Sequence, residues 1–305
     1  MPTDFSSLSR RPVNPWINLH SPTPCQWNRV ELPIRDLPSA LIGLRLIHIS
    51  DPHFRAVWSE GWSSIIRQIN AAQADLILMT GDFVDSKTNA GPALRCVKRF
   101  FSSLQCRLGK YAIFGNHDHD LLYRIAQQAA EQGLIFPEPW PRRRADADHE
   151  PTGTPIPPRL PALSFFGHQL LDDRRELLTY QGASIELIGL RGTSRADFNY
   201  EFLQSLPLKP SASVRIILSH HPDSIRHLQS LNADIILSGH THGGQICLPG
   251  PRAIISHDTL PKSQASGIHR FGDSWLVISR GLGFSSLPIR LFCPPEITEL
   301  TLINA

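Results

Sequence analysis

No stretch of this 305-residue chain reaches the ~18 consecutive apolar residues that a membrane-spanning helix needs. Its opening residues, MPTDFSSLSRRPVNPWINLHSP, hold no apolar run of the kind that precedes secretion. The expectation is a cytoplasmic protein, in solution or peripheral on the inner face of the cytoplasmic membrane. Charge of one sign is also lacking: 30 Lys and Arg against 27 Asp and Glu leave +3 with histidine neutral, and basic clusters such as Arg142 to Arg144 are short. That balance argues against a nucleic-acid partner, which calls for a basic stripe. Cysteines at metal-like spacing are missing as well. The five present (Cys25, Cys96, Cys106, Cys247 and Cys293) are odd in number and scattered, as expected of thiols used as small apolar residues in a reducing compartment. Nothing signals an obligate protein partner.

What is present is a globular composition, 41% hydrophobic, with fourteen histidines. Residues 1–30 are rich in Pro, Ser and Asn and carry little periodicity; an N-terminal arm is expected over 1–40 and one domain over 41–305. Within that domain, apolar runs of strand length (41–50, 75–82, 110–118) alternate with helical spacing at 61–73, 91–104 and 121–133. Such βαβ units imply right-handed crossovers and a largely parallel sheet, and the lack of polar alternation implies a sheet buried on both faces. Residues 137–161 hold eight prolines and three consecutive arginines, which predicts a Pro-rich surface insertion. Strand candidates follow at 184–192, 213–221, 233–240 and 274–281, with a helix at 224–231 and an alternating edge strand at 296–303. The expected fold is α/β, one domain of two packed sheets.

Five apolar strands end in polar tails: SDPH (50–53), TGDFVD (80–85), FGNHDHD (114–120), LSHHPD (218–223) and SGHTHGG (238–244). In α/β folds, sites form beyond the carboxyl ends of strands, so these tails are expected to meet. They supply Asp51, His53, Asp82, Asn116, His117, Asp118, His220, His240 and His242. Each has an ordinary reading. Asp51 and Asp82 suit turns, Asn116 and Asp118 suit helix caps, and His220 suits a satisfied core position. Together they form an N/O donor set without thiolate, which suits Mn, Fe or Zn better than Mg or Ca. The donors outnumber what one ion needs, and two ions ~3.5–4 Å apart, clamping a phosphate ester for in-line hydrolysis, are the chemistry implied. Arg55 fits either a phosphate contact or a solvated charge. Trp58, Trp62 and Trp140 fit either an apolar surface or local packing.

The ordered blocks DPH, GDFVD, GNHD, SHHPD and GHTH, over residues 45–245, resemble the calcineurin-like metallophosphoesterases. The resemblance implies a four-layered αββα sandwich of two mixed sheets flanked by helices. It implies Asp51, His53 and His242 as ligands of a first divalent metal, Asp82 as a bridging carboxylate, and Asn116, His220 and His240 as ligands of a second, with manganese favoured and iron or zinc as alternatives. His117 resembles the family's phosphate-contacting histidine, and Asp118 would hold its ring. His221 receives no role. The tail at 279–302 is similar to a bacterial branch that includes membrane-associated phosphodiesterases and a UDP-2,3-diacylglucosamine pyrophosphatase of lipid A synthesis. The expected substrate is therefore a phosphodiester or pyrophosphate, preferably a nucleotide-linked lipid, with peripheral membrane contact. A general or cyclic-nucleotide phosphodiesterase is the alternative, and a non-catalytic scaffold on the same fold is a third reading. Many branch members carry an acidic pair where this chain has Arg191-Gly192.

Overall fold

The computed structural model describes residues 17–19, 21–85, 87–120, 164–165, 167–191, 199–207, 213–250, 252–256 and 258–305. The segment read as a helix at 121–133 and the insertion at 137–161 lie outside the described residues. The rest is mixed α/β with two multi-stranded mixed sheets. In the first sheet the spatial order is Gln26–Ile34, Glu296–Asn304, Arg45–Ile49, Leu76–Met79, Gly109–Ala112, His168–Leu170 and Ser164–Phe165. The four strands from Arg45–Ile49 through His168–Leu170 run parallel. In the second sheet the order is Gly267–Phe271, Ser274–Ile278, Ile235–Ser238, Ser213–Leu218, Ala183–Gly189 and Arg174–Tyr180, with the central four parallel.

The alternation of side chains along each strand sorts the apolar residues into layers. Leu46, Leu78, Ile113 and Leu300 of the first sheet meet Ile185, Leu187, Ile216, Leu237 and Val277 of the second in a shared core. The opposite face of the first sheet, with Ile47, Ile49, Ile77 and Met79, packs on Ile65 and Ile69 of helix Glu60–Ala71 and on Val97, Phe100 and Phe101 of helix Ala90–Ser103. The outer face of the second sheet, with Ile188, Ile217, Ile236 and Ile278, packs on Phe202, Leu203, Ile225 and Leu228. Both faces of each parallel core are apolar because both are covered, which is why the strands read as continuous hydrophobic runs. The layers follow the order helix, sheet, sheet, helix.

Two strands depart from expectation. Glu296–Asn304 is not an edge strand; it lies between Gln26–Ile34 and Arg45–Ile49. Its alternation is genuine, but the polar side chains are satisfied rather than solvated. Glu296 accepts from the Arg280 amide at 2.7 Å and from Asn28 Nδ2 at 2.8 Å, and Glu299 accepts from Trp27 Nε1 at 2.6 Å. The edge is Gln26–Ile34, inside the segment read as an arm. Periodicity reports which face is apolar, not which neighbour pairs with the backbone.

Charge also enters the second sheet. Arg215, in mid-strand and 1% exposed, donates from Nε to Glu186 Oε2 at 2.6 Å and from Nη2 to the Pro207 carbonyl at 2.7 Å. The guanidinium thereby ties the strand to the outer layer. Removing it would leave the buried Glu186 carboxylate with only Arg175 of the two arginines that answer it, and breaking such a pair costs several kcal/mol. Arg215→Met is expected to destabilise the fold by about 3 kcal/mol in chemical denaturation. A loss below about 1 kcal/mol would contradict a structural role for the pair.

Candidate metal centre

The parallel strands of both sheets deliver their carboxyl ends to one place. From the first sheet, the Arg45–Ile49 strand leads to Asp51 and His53, Leu76–Met79 leads to Asp82, and Gly109–Ala112 leads to residues 115–118. From the second, Ser213–Leu218 leads to His220 and Ile235–Ser238 leads to His240 and His242. The expected convergence is present. Potential donor atoms of Asp51, His53 and His242 lie within 4.8 Å of one another, as do those of Asp51, Asp82 and His220, of His53, Asp82 and His117, and of His220, His221 and His240.

The local backbone is strained at these residues. Asp51, His53, Asp82, His240 and His242 all adopt φ between 43° and 68°, a left-handed conformation that costs a non-glycine residue ~1 kcal/mol or more. All five lie just beyond strand ends, where the chain leaves the sheet and the donor atoms gather. Two glycines leave room for the carboxylates: a Cβ on Gly239 would overlap Asp51 Oδ2, and one on Gly115 would overlap Asp82 Oδ1.

At one end, His53 Nε2 stands 3.0 Å from His242 Nε2, and His242 Nε2 stands 3.5 Å from Asp51 Oδ1. The Asp51 carboxylate is aimed by the His240 amide, which donates to both its oxygens at 3.1 Å. In the middle, Asp82 Oδ2 is 3.5 Å from His53 Nε2 and 3.3 Å from His220 Nε2. Its Oδ1 accepts from the His117 amide at 2.8 Å. At the other end, Asn116 Oδ1 is 3.1 Å from both His220 Nε2 and His240 Nδ1. His220 Nδ1 donates to the Thr80 carbonyl at 2.6 Å, so Nε2 is the nitrogen left to face the centre.

Burial makes this crowd electrostatically expensive. It pushes Asp51 up to about 6 and His53 down to about 3, and drives His242 well below the usual imidazole range, with His53 and Arg290 adding to the effect. Burial alone would also neutralise Asp82 and His220. Their mutual attraction overrides it, holding Asp82 well below the carboxylate range and raising His220 to about 9. Two imidazole nitrogens facing each other at 3.0 Å, beside buried carboxylates and with His53 Nδ1 lacking a hydrogen-bond partner, is an arrangement that cations relieve. The donor chemistry fits two divalent ions: Asp51, His53 and His242 would hold one, Asn116, His220 and His240 the other, and Asp82, whose Oδ2 lies near both His53 and His220, could serve either.

Some expected residues behave differently. Asp118 does not hold the His117 ring; its Oδ2 accepts from the Gly115 amide at 2.9 Å and its Oδ1 from the Phe83 amide at 2.8 Å and the Val84 amide at 3.3 Å. This is half a capping box, and it clamps the Asp82 loop to the start of the 116–120 helical turn. Arg55 pairs with Asp85 at 3.1 Å. Trp62 is buried against Phe54, and Trp58 stacks under the Arg99 guanidinium at 4.2 Å, so these two serve local packing; Trp140 lies outside the described residues. Sequence reasoning missed Arg290. Fully buried, it donates from Nε and Nη2 to the Gly283 carbonyl at 2.8 and 2.6 Å and from Nη2 to the Arg280 carbonyl at 2.7 Å, and Nη2 lies 3.1 Å from His242 Nδ1. It fastens the His242 loop to the 280–283 segment, whose Gly283 amide donates to the Asp51 carbonyl at 2.7 Å. The only signal in the sequence was an arginine inside the short apolar run LPIRLFCPP (287–295).

A family model described as calcineurin-like phosphoesterase matches residues 44–244. Among curated proteins, the UDP-2,3-diacylglucosamine pyrophosphatase LpxG of Chlamydia trachomatis is 30% identical over 96% of this chain and 94% of its own. The uncharacterized metallophosphoesterase YkuE of Bacillus subtilis is 28% identical over 87% of this chain and 81% of its own. The phosphodiesterase YaeI of Escherichia coli is 36% identical over a shorter segment, 29% of this chain and 32% of its own.

The Asp82–His220 pair has a consequence for metal uptake. His220 holds a proton below about 9, and an ion must displace it to reach Nε2. The affinity of the metal-free protein for one equivalent of divalent metal is therefore expected to rise ~10-fold per pH unit between pH 7 and about 9, then level off. Chelator-competition titration measures it, and a pH-independent affinity over that range would contradict the pairing.

Proposed function

Because the chain belongs to the calcineurin-like phosphoesterase family of metal-dependent hydrolases, we propose that it hydrolyses a phosphodiester or pyrophosphate at a dinuclear centre. The observation that carries the reading is the convergence of Asp51, His53 and His242 with Asp82, His220, Asn116 and His240 at the carboxyl ends of two facing sheets. Two divalent ions bound there, manganese in the first instance, would supply a water acidified enough to attack at neutral pH and positive charge for the phosphoryl oxygens.

The chain's own residues do the rest. Asp82 keeps the two ligand groups in register, because its two oxygens are engaged by His53, His220 and the His117 amide. His117 is half-buried and meets the His53 ring edge-on, with centroids 4.7 Å apart. Its backbone amide is held by Asp82 Oδ1, and its imidazole is the group that would hydrogen-bond a phosphoryl oxygen or protonate the leaving oxygen. Asp118 acts at one remove by clamping the loop that carries Asp82.

The preferred substrate is a nucleotide-linked lipid such as UDP-2,3-diacylglucosamine. The similarity to LpxG along nearly the whole chain supports it. So do the exposed aliphatic side chains Leu248, Ile254 and Ile255, in and just after the paired short strands Cys247–Leu248 and Arg252–Ala253 that come after the His240–His242 loop, which suit acyl chains or a peripheral membrane contact. Water would add to one phosphorus as the bridging oxygen leaves, releasing a nucleoside monophosphate and a lipid phosphate. With Mn(II), turnover of UDP-2,3-diacylglucosamine and bis-p-nitrophenyl phosphate is expected to exceed that of p-nitrophenyl phosphate and cyclic AMP. Asp51→Asn is expected to lower turnover on the order of a hundredfold or more with the fold intact. Full turnover and full metal content in that variant would overturn the dinuclear reading. Preference for cyclic AMP over the lipid would overturn the substrate assignment alone.

A further inference from the structure

The sequence doubles a histidine at 220–221, and the second imidazole joins the site. His221 follows the end of the Ser213–Leu218 strand, and Pro222 behind it restricts its backbone to an extended conformation, φ −86° and ψ 120°. The carbonyl of His221 is held as well, accepting from the Ser224 amide at 3.2 Å. The side chain is half-buried. Its ring lies 4.0 Å from the His240 ring, centroid to centroid, and 5.1 Å from that of His220. A ring nitrogen of His221 falls within 4.8 Å of potential donor nitrogens of both neighbours.

Resting on the dinuclear reading above, we infer that His221 is a further donor at the His220–His240 end of the centre, and that it sets the metal preference of that end. The two ends are then chemically unequal. One offers two imidazoles and a carboxylate, from His53, His242 and Asp51. The other offers three imidazoles and one amide oxygen, from His220, His221, His240 and Asn116. Asp82 serves both. Neutral nitrogen donors favour zinc, cobalt and nickel over manganese, whereas carboxylate oxygens favour the harder manganese. The three-imidazole end therefore selects a later first-row metal such as zinc, and the carboxylate end accepts manganese.

The test is metal binding by the metal-free protein, read by chelator competition with Zn(II) and Mn(II) and by the visible absorption of Co(II). Two variants separate donor loss from loss of packing: His221→Ala removes the ring, and His221→Phe keeps a ring against His240 but carries no nitrogen. Both are expected to weaken Zn(II) binding at one equivalent by about tenfold or more and Mn(II) binding by about threefold or less, with the other equivalent unchanged. The Co(II) band of the affected equivalent is expected to change in both. Unchanged Zn(II) affinity in the phenylalanine variant, or equal losses for the two metals, would overturn the inference. Failure of the unsubstituted protein to bind two equivalents would sink the dinuclear reading itself, and is seen before either variant is made.

Discussion

Asp82 is where the two sheets meet. Its carboxylate comes from the first sheet, and one oxygen reaches both His53 of that sheet and His220 of the second. Among buried groups such proximity is costly unless every charge is answered. The answer in the protein alone is the Asp82–His220 attraction, strong enough to override burial on both partners. Much of the surrounding architecture keeps that carboxylate still. The His117 amide holds Oδ1, Asp118 clamps the loop on either side, and Gly115 stays clear of it.

The same economy runs through the second carboxylate. Asp51 is aimed by the His240 amide and backed by the 280–283 segment, which Arg290 ties to His242. Five candidate ligands sit in left-handed backbone, so the strands end in strain that the apolar core between the sheets sustains. A site built this way is preorganised: the side chains are already turned inward before any substrate arrives.

Much of this was legible in the residues. The apolar runs marked the parallel strands, and the polar tails marked the site, because a strand buried on both faces has little reason to end in His or Asp unless something gathers there. What escaped were partnerships made across the fold. Arg215 with Glu186, 29 residues apart, and Arg290 with His242, 48 residues apart, are buried charges whose partners lie far away in sequence. The Glu296–Asn304 strand read as an edge because its alternation concealed the side chains that satisfy Glu296 and Glu299. Asp118 looked like a ring-orienting acid because it follows His117; three-dimensional geometry gives its oxygens to amides instead. Adjacency in sequence was the weaker guide for Asp118, yet for the His220–His221 doublet it was a true sign of two rings in one cluster.

In the proposed centre, Asp82 would lie between two ions. Anomalous diffraction from crystals soaked in Mn(II) and Zn(II) together measures this directly. Two peaks are expected about 3.5–4 Å apart, both within bonding distance of the Asp82 carboxylate. A single peak, or a pair that leaves Asp82 unliganded, would contradict a carboxylate shared by two ions.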